Sequence, residues 1–305
     1  MKTEYVVVST AVADHLNLAS GEDAGFRLGG AGVYAWSGIR LWTPRVRLVT
    51  GIGEDFFTTF ETWLEKSGAD CAGLLVKDAH TAVSNIRYFS SGERVETPEY
   101  GLAHYRRMEA TPEEIGRFGA DAKGVYIFKD LPEAYWEDVF RLREKQGFRL
   151  LWEINADAAK PELRDRVKAC AQRCDLFSIN RTEAEALFAG ASEKAAIAGL
   201  QSWGLPMVLY RRGAEGAAVV TPDGVTMVPS VPAPEITDPT GAGNAASAAA
   251  LYGFCEGMTP YECGLLGSIA AACCIRQYGP PLIGEEEMRR AREVFMELRE
   301  KQTDA

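Results

Sequence analysis

Histidine is scarce in this chain: among 305 residues there are only His15, His80 and His104, far apart in sequence and in no metal-ligand spacing. That argues against a His-built catalytic zinc site. The seven cysteines (Cys71, Cys170, Cys174, Cys255, Cys263, Cys273 and Cys274) contain no C-x-x-C pair. Their odd number and mostly apolar or helical settings read as reduced, buried thiols, not a disulfide framework, which points to a cytoplasmic location. No apolar run approaches the ~18 residues that a membrane span needs. Tyr5 to Val8 is apolar but short, and Asp14 soon follows, so it reads as a buried strand and not as a signal peptide. Positive charge is outweighed: 33 Lys and Arg against 43 Asp and Glu give a net charge of −10, and the basic residues lie scattered among acids. A nucleic-acid partner would call for a basic patch, so none is expected. Repeats, linkers and low-complexity tracts are also absent. What remains is the composition of an ordinary soluble α/β chain, of a length suited to one large domain or two modest ones.

The stretch that stands out is Asp238-Pro239-Thr240-Gly241-Ala242-Gly243-Asn244, which runs directly into the Ala-rich segment Ala245–Tyr252. Gly241 and Gly243 allow a tight turn whose amides are bare of side chains. A helix behind such a turn aims further free N–H groups and a positive dipole end at the same point. This combination suits an anion, most often phosphate. The competing reading is an ordinary loop in which Asn244 serves as the helix cap.

The rest of the chain reads as alternating strands and helices. Tyr5–Val8 is expected to be a central strand, followed by Ala13-Asp14-His15 where such a strand would end. Strand ends face the ligand crevice of a parallel sheet, so Asp14 is a candidate for binding substrate hydroxyls, with a solvated loop acid as the alternative. Gly29-Gly30-Ala31-Gly32 opens another helix, with Tyr34 and Trp36 in it. A strand over 47–50 ends in Gly51-Ile52-Gly53-Glu54-Asp55, and 56–67 has helical spacing. Residues 81–96 alternate in strand fashion around the turn Ser90-Ser91-Gly92-Glu93, which predicts an inserted hairpin. Strands over 124–128, 149–153, 176–179 and 207–210 then alternate with helices over 132–146, 161–173, 181–188 and 193–203. An antiparallel pair, 216–221 and 225–228, follows, and helices over 261–278 and 285–303 complete the chain. Alternation at this spacing predicts a doubly wound, mostly parallel sheet.

With the pieces in this order, the chain resembles the PfkB (ribokinase-like) carbohydrate kinases. The resemblance rests on four stretches spread over essentially the whole length. They are Gly29-Gly30 with Gly51–Asp55 downstream, Asn180-Arg181-Thr182-Glu183, Gly213-Ala214-Glu215-Gly216, and the Gly241-Ala242-Gly243 turn. The hairpin with Thr81 and Gly92-Glu93-Arg94 is similar to that family's lid. The resemblance implies one three-layer αβα domain over 1–305 with a small inserted β lid, drawn from about 13–31 and 81–101. It implies ATP and Mg²⁺, a sugar or nucleoside-like acceptor, and dimerisation through the lid. It places Asp14, Gly29, Gly30 and Tyr34 on the substrate side, and Gly241, Ala242 and Gly243 in the anion hole. Asn180 and Glu183 match the motif that organises Mg²⁺ and phosphate. Gly213, Gly216 and Ser268 match the nucleotide side, and Asp238 matches an acid linked to a monovalent cation such as K⁺.

The chain departs from the family at the base. An Asp is usual directly after the Gly-Ala-Gly turn, and here the residue is Asn244. An amide oxygen is far less basic than a carboxylate, and losing a general base costs roughly 10²- to 10⁴-fold in rate. The stretch Glu153-Ile154-Asn155-Ala156-Asp157 also replaces the usual Asp-x-Asn-x-Arg. Two readings stay open. One is a divergent kinase, slowed at Asn244 or served by Asp14, Glu153 or Asp157 as base. The other is a pseudokinase that binds nucleotide or sugar without efficient transfer. Gly51-x-Gly53 lacks the third glycine and the helix placement of a dinucleotide fingerprint, which argues against a nicotinamide-dependent enzyme.

Overall fold

The computed structural model describes residues 2–17, 19–89 and 94–303. In chain order the first half comprises β1 (Tyr5–Val8), β2 (Val12–Asn17), β3 (Asp23–Gly29), α1 (Ala31–Arg40), β4 (Val46–Gly53), α2 (Phe56–Thr59), α3 (Glu61–Ser67), β5 (Leu74–Asp78), β6 (Val83–Tyr88), β7 (Arg94–Pro98), α4 (Gly101–Arg107), α5 (Pro112–Gly119), β8 (Gly124–Phe128) and α6 (Glu133–Gln146). The second half comprises β9 (Arg149–Glu153), α7 (Arg164–Ala171), β10 (Leu176–Asn180), α8 (Arg181–Leu187), α9 (Glu193–Gln201), β11 (Met207–Arg211), β12 (Ala217–Thr221), β13 (Gly224–Val228), α10 (Ala242–Cys255), α11 (Pro260–Cys274) and α12 (Glu285–Thr303).

The main sheet has the order β13-β12-β11-β10-β9-β8-β1-β4-β5. Strands from β11 to β5 pair in parallel, and β12 and β13 are added antiparallel at one edge. The central strands are continuous apolar runs because helices cover both faces. Alternate residues of β1 show this directly. Tyr5 and Val7 join the core under α1, α10 and α11, whereas Val6 and Val8 join the core under α5 and α6. The chain runs from β1 outward to β4 and β5, then crosses back to β8 on the other side of β1. The carboxyl ends of β1 and β8 therefore flank a topological switch point, where open α/β sheets bind ligands. A cavity of about 90 Å³ lies there, lined by Thr10, Tyr105, Lys129 and Asn155 among others.

A second sheet has the order β3-β2-β6-β7. Here β2 pairs with β3 antiparallel and with β6 parallel, and β6 and β7 form the expected hairpin. The turn expected at Ser90–Glu93, including Gly92 and Glu93 of the family match, lies outside the described residues. Asp14 stands within β2, not in a loop after β1, because β1 ends at Val8 and the chain enters this second sheet at Val12.

Small residues set how closely the helices on one face approach. A side chain on Gly38 of α1 would overlap the backbone of Ala245 in α10, and one on Gly267 of α11 would crowd Ala246. The Ala-rich sequence of α10 is thus what lets this helix sit between α1 and α11. The segment expected as one helix over 56–67 is broken at Phe60, whose φ of −116° leaves the helical region between α2 and α3. Sequence periodicity did not disclose β5, α4 and α5.

Candidate active site

The first turn of α10 is the centre of the site. Gly241 takes the cap position in a left-handed conformation (φ 76°), and no side chain caps the helix. Tyr34 of α1 packs directly on Gly241, so a Cβ there would overlap its ring. The N–H of Ala242 donates to the Pro239 carbonyl at 3.3 Å. The N–H groups of Gly243 and Asn244 have no hydrogen-bond partner among the described residues. Free amides at a helix start, next to a backbone with no side chain, are what an oxyanion needs. Upstream, the buried Asp238 closes the turn by accepting from the Thr240 N–H at 3.0 Å and from its hydroxyl at 2.6 Å.

Asn244 is not the helix cap. The left-handed Gly241 starts the helix earlier, so Asn244 is its third residue, and its side chain is drawn toward the sheet. Its Nδ2 donates to Glu153 Oε1 at 3.0 Å and to the Tyr126 hydroxyl at 3.2 Å. Tyr126 in turn donates to Glu153 Oε2 at 2.8 Å. Arg211, at the end of β11, places Nη1 3.1 Å from Glu153 Oε1 and Nη2 3.4 Å from Glu183 Oε2. The same guanidinium lies on Gly243, where any Cβ would overlap it. Glu183 also completes a capping box with Asn180: its Oε2 accepts from the Asn180 N–H at 2.8 Å, and Asn180 Oδ1 accepts from the Glu183 N–H at 2.9 Å.

Burial and charge set the ionisation of this network. Glu153 is 1 % exposed, and three donors, from Tyr126, Asn244 and Arg211, reach its carboxylate in place of water. Burial and then the Glu153 charge push the Tyr126 hydroxyl far above its ordinary value, which keeps it a neutral donor. Burial raises the Glu183 carboxyl, partly offset by Arg211. Burial alone would lower the Arg211 guanidinium, but Glu153 and Glu183 hold it above its ordinary value. The Arg211 Nε is buried without a hydrogen-bond partner among the described residues, an orphaned donor beside the cradle. The resident charge is thus two carboxylates against one guanidinium.

The remaining candidates fall into two other groups. The Asp14 carboxylate packs against the Cα of Gly29, and Gly30 (φ 94°) caps α1 with its backbone against the Thr10 carbonyl. Tyr34, one turn further along α1, links this group to Gly241. On the far side of α10, Gly213 and Gly216 bound the short turn between β11 and β12, closed by the Arg212 N–H to the Gly216 carbonyl at 2.8 Å. Ser268 of α11 accepts from the Val231 N–H and donates to the Pro229 carbonyl, both at 2.9 Å. Beyond it a groove of about 780 Å³ runs past Val231, Pro234, Ile269, Cys273 and Arg276. Trp36 is a core residue: it is 2 % exposed, packs edge-on to Trp63, and donates to the Val46 carbonyl at 3.3 Å.

Sequence reasoning missed Tyr126 and Arg211. Tyr126 sits inside an apolar strand, and the only signal is that a buried tyrosine hydroxyl must find a partner. Arg211 carried a clearer one, a charge at the carboxyl end of a parallel strand. Among the described residues no group of three or more His, Cys, Asp or Glu is arranged to hold a metal ion.

Taken together, the mostly parallel sheet with helices on both sides defines a ribokinase-like fold. The chain belongs to the PfkB family of carbohydrate kinases, whose model matches residues 4–284. The cytidine kinase of Thermococcus kodakarensis is 29 % identical over 258 residues, covering 82 % of this chain and 88 % of that protein. A probable sugar kinase from Rhizobium etli superposes with a TM-score of 0.80 at 20 % identity, covering 96 % of this chain and 98 % of the other. Arabidopsis thaliana ribokinase, solved with ribose and ATP, superposes with a TM-score of 0.73 at 18 % identity, covering 95 % and 99 %. No described helix is long and apolar enough to cross a membrane.

Proposed function

We propose that this protein transfers a phosphoryl group from ATP to a hydroxyl of a sugar or nucleoside-like small molecule, at a reduced rate because Asn244 stands where a carboxylate base is usual. The observation that carries this reading is the first turn of α10: the free N–H groups of Gly243 and Asn244, bare backbone, and the Arg211 guanidinium against Gly243. Phosphoryl transfer is mostly positioning and charge stabilisation, and such a cradle supplies both without covalent chemistry. The acceptor would enter at the switch point, between the cavity at Thr10, Lys129 and Asn155 and the Asp14–Gly29 contact. Its hydroxyl would meet Asn244, whose Oδ1 can accept a hydrogen bond and orient it. The nucleotide would lie on the side of Gly213, Gly216 and Ser268. Mg²⁺ fits this site as a cation held by the phosphates and water, since the described residues form no dedicated cage. Glu183 is the protein carboxylate closest to that role in the family motif, and both of its hydrogen-bonded contacts fall on Oε2. The name of the Thermococcus kodakarensis cytidine kinase supports including nucleosides among the acceptors. Exposed Phe26 and Val95 on the small sheet support a dimer through that lid.

One observation favours a second reading, a nucleotide- or sugar-binding protein without efficient turnover. Glu153, the carboxylate touching Asn244, is fully engaged by Tyr126, Asn244 and Arg211, so it is a structural anion and not an available base. ATP consumption across a panel of sugars and nucleosides, with calorimetric titration of ATP and acceptor, separates the two. The kinase reading expects acceptor-dependent ADP formation that Asn244→Ala lowers further. Binding of ATP or acceptor with no turnover on any of them establishes the second reading instead.

A further inference from the structure

We propose that Glu153 is a positioning residue for Asn244, and that the two positions act as one unit in which only one carboxylate is tolerated. In this view the carboxylate on β9 is the physical reason that residue 244 carries an amide. Glu153 Oε1 is 3.0 Å from Asn244 Nδ2, and the Tyr126 hydroxyl is 3.2 Å from the same nitrogen. Both N–H bonds of the amide are thereby held inward. Oδ1 accepts from no described residue and is left for an acceptor hydroxyl. Glu153 also holds Arg211 against Gly243 through Nη1 at 3.1 Å. One carboxylate thus fixes both the amide beside the acceptor and the cation beside the phosphoryl cradle.

The charged and titratable groups around Glu153 come from three elements, Tyr126 of β8, Arg211 of β11 and Glu183 of α8, with the neutral Asn244 contributed by α10. A carboxylate at position 244 would set three anions against the single Arg211, two of them in hydrogen-bond contact. Like charges so close in a buried site cannot both ionise freely, and one takes up a proton. An aspartate restored at this position would therefore be a poor base while Glu153 remains. The reciprocal exchange Glu153→Gln with Asn244→Asp keeps the count of charges. The amide introduced on β9 can donate to the carboxylate introduced on α10 across the contact that Asn244 and Glu153 now make.

The kinetic part of this inference rests on the proposed kinase reading; the pairing itself does not, and it is read first without ligand. Thermal unfolding of wild type, Asn244→Asp, Glu153→Gln and the double variant is followed from about pH 5 to about pH 8.5. In Asn244→Asp one carboxyl has a folded pKa above its unfolded value. Its stability is therefore full at low pH and falls as pH rises through the folded pKa. The expected result is a melting deficit for Asn244→Asp that grows with pH and disappears when Glu153→Gln is added. Asn244→Leu removes one donor from Glu153 but adds no charge, so its deficit should grow with pH less steeply than that of Asn244→Asp. A pH-independent deficit for Asn244→Asp, or a double variant that merely sums the singles, overturns the proposal. If Asn244→Asp does not fold near neutral pH, recovery of folding by Glu153→Gln supports the pairing and failure to recover overturns it. Turnover is the second arm. The double variant should exceed wild type by about 100-fold, the low end of a general base's contribution, and Asn244→Asp alone should gain little near pH 7. Equal gains in the single and the double sink the positioning role while leaving the kinase reading intact. No turnover in any variant, with the pH pattern as expected, removes the kinase reading and leaves the pairing standing.

Discussion

Arg211 pairs with carboxylates that are 1 % and 12 % exposed, whereas Arg212, the next residue, pairs with carboxylates that are 32 % and 53 % exposed. Both are two-carboxylate arrangements on consecutive residues. Arg211 joins Glu153 and Glu183 under the start of α10. Arg212 joins Glu193 and Glu215, which Arg181 also bridges at 3.2 and 2.7 Å. In the outer cluster water screens each pair, and such pairs are individually weak. In the inner one each ion depends on its partner, so removing one leaves a charge stranded. Similar side chains thus have opposite consequences: the outer network ties α8, α9 and the turn after β11 together loosely, and the inner one fixes the geometry of a candidate active site.

The largest effect should come from breaking the inner network at its cation. Arg211→Met leaves Glu153 and Glu183 buried without their counter-charge, and a stranded buried charge costs about 3–5 kcal/mol. Urea unfolding should show that loss, and ATP affinity should fall with it. Adding Glu153→Gln should return part of the stability, since one stranded anion is then gone. A loss as small as that of an exposed pair would mean that water reaches this cluster, and the contrast with Arg212 would collapse.

A smaller effect is expected from Gly243→Ala, which leaves every charge in place and moves only Arg211. The new Cβ overlaps the guanidinium, which must swing off the helix start. Overpacking of this kind costs about 1–3 kcal/mol. Titration of ATP should register it more strongly than melting does, because displaced Arg211 and the added methyl both spoil the cradle. If Gly243→Ala binds ATP as wild type does, the cradle is not where the phosphates lie.

How much of this was legible in the sequence depends on range. The α/β alternation, the central strands, the hairpin and the glycine turn were all local patterns, and they were read with most strands in place. The Asn180–Glu183 motif likewise folds as a local unit, a capping box. The second sheet was harder to see, because β2 takes its parallel partner from a segment 70 residues away, His15 standing opposite Asn85. The network under Asn244 was not legible at all. Its members come from 126, 153, 183, 211 and 244, and no spacing pattern connects residues that meet only when β8, β9, β11 and two helices converge. The same distance explains why the cap stayed an alternative: Asn is a good cap by type, and only Glu153 and Tyr126 reveal that its side chain is engaged elsewhere.

The smallest effect belongs to the outer cluster, and its pH dependence is its signature. Arg212 meets Glu193 through Nε at 2.7 Å and Nη2 at 3.3 Å, and Glu215 through Nη2 at 2.7 Å. The hydrogen bond from Arg212 holds the Glu193 carboxyl below the usual range, with Arg181 adding to it. A carboxyl whose folded pKa is depressed contributes stability above its unfolded pKa of about 4.3, and that contribution disappears as pH falls through the folded value. Arg212→Ala should therefore cost about 0.2–1 kcal/mol near neutral pH, with a deficit that shrinks toward zero near pH ~3. About 1 M salt should shrink it as well, since exposed pairs are screened and buried ones much less so. Arg211→Met, measured beside it, should keep most of its deficit in salt. If both variants respond to salt alike, then burial does not separate these two arginines, and the inner network is as wet as the outer one.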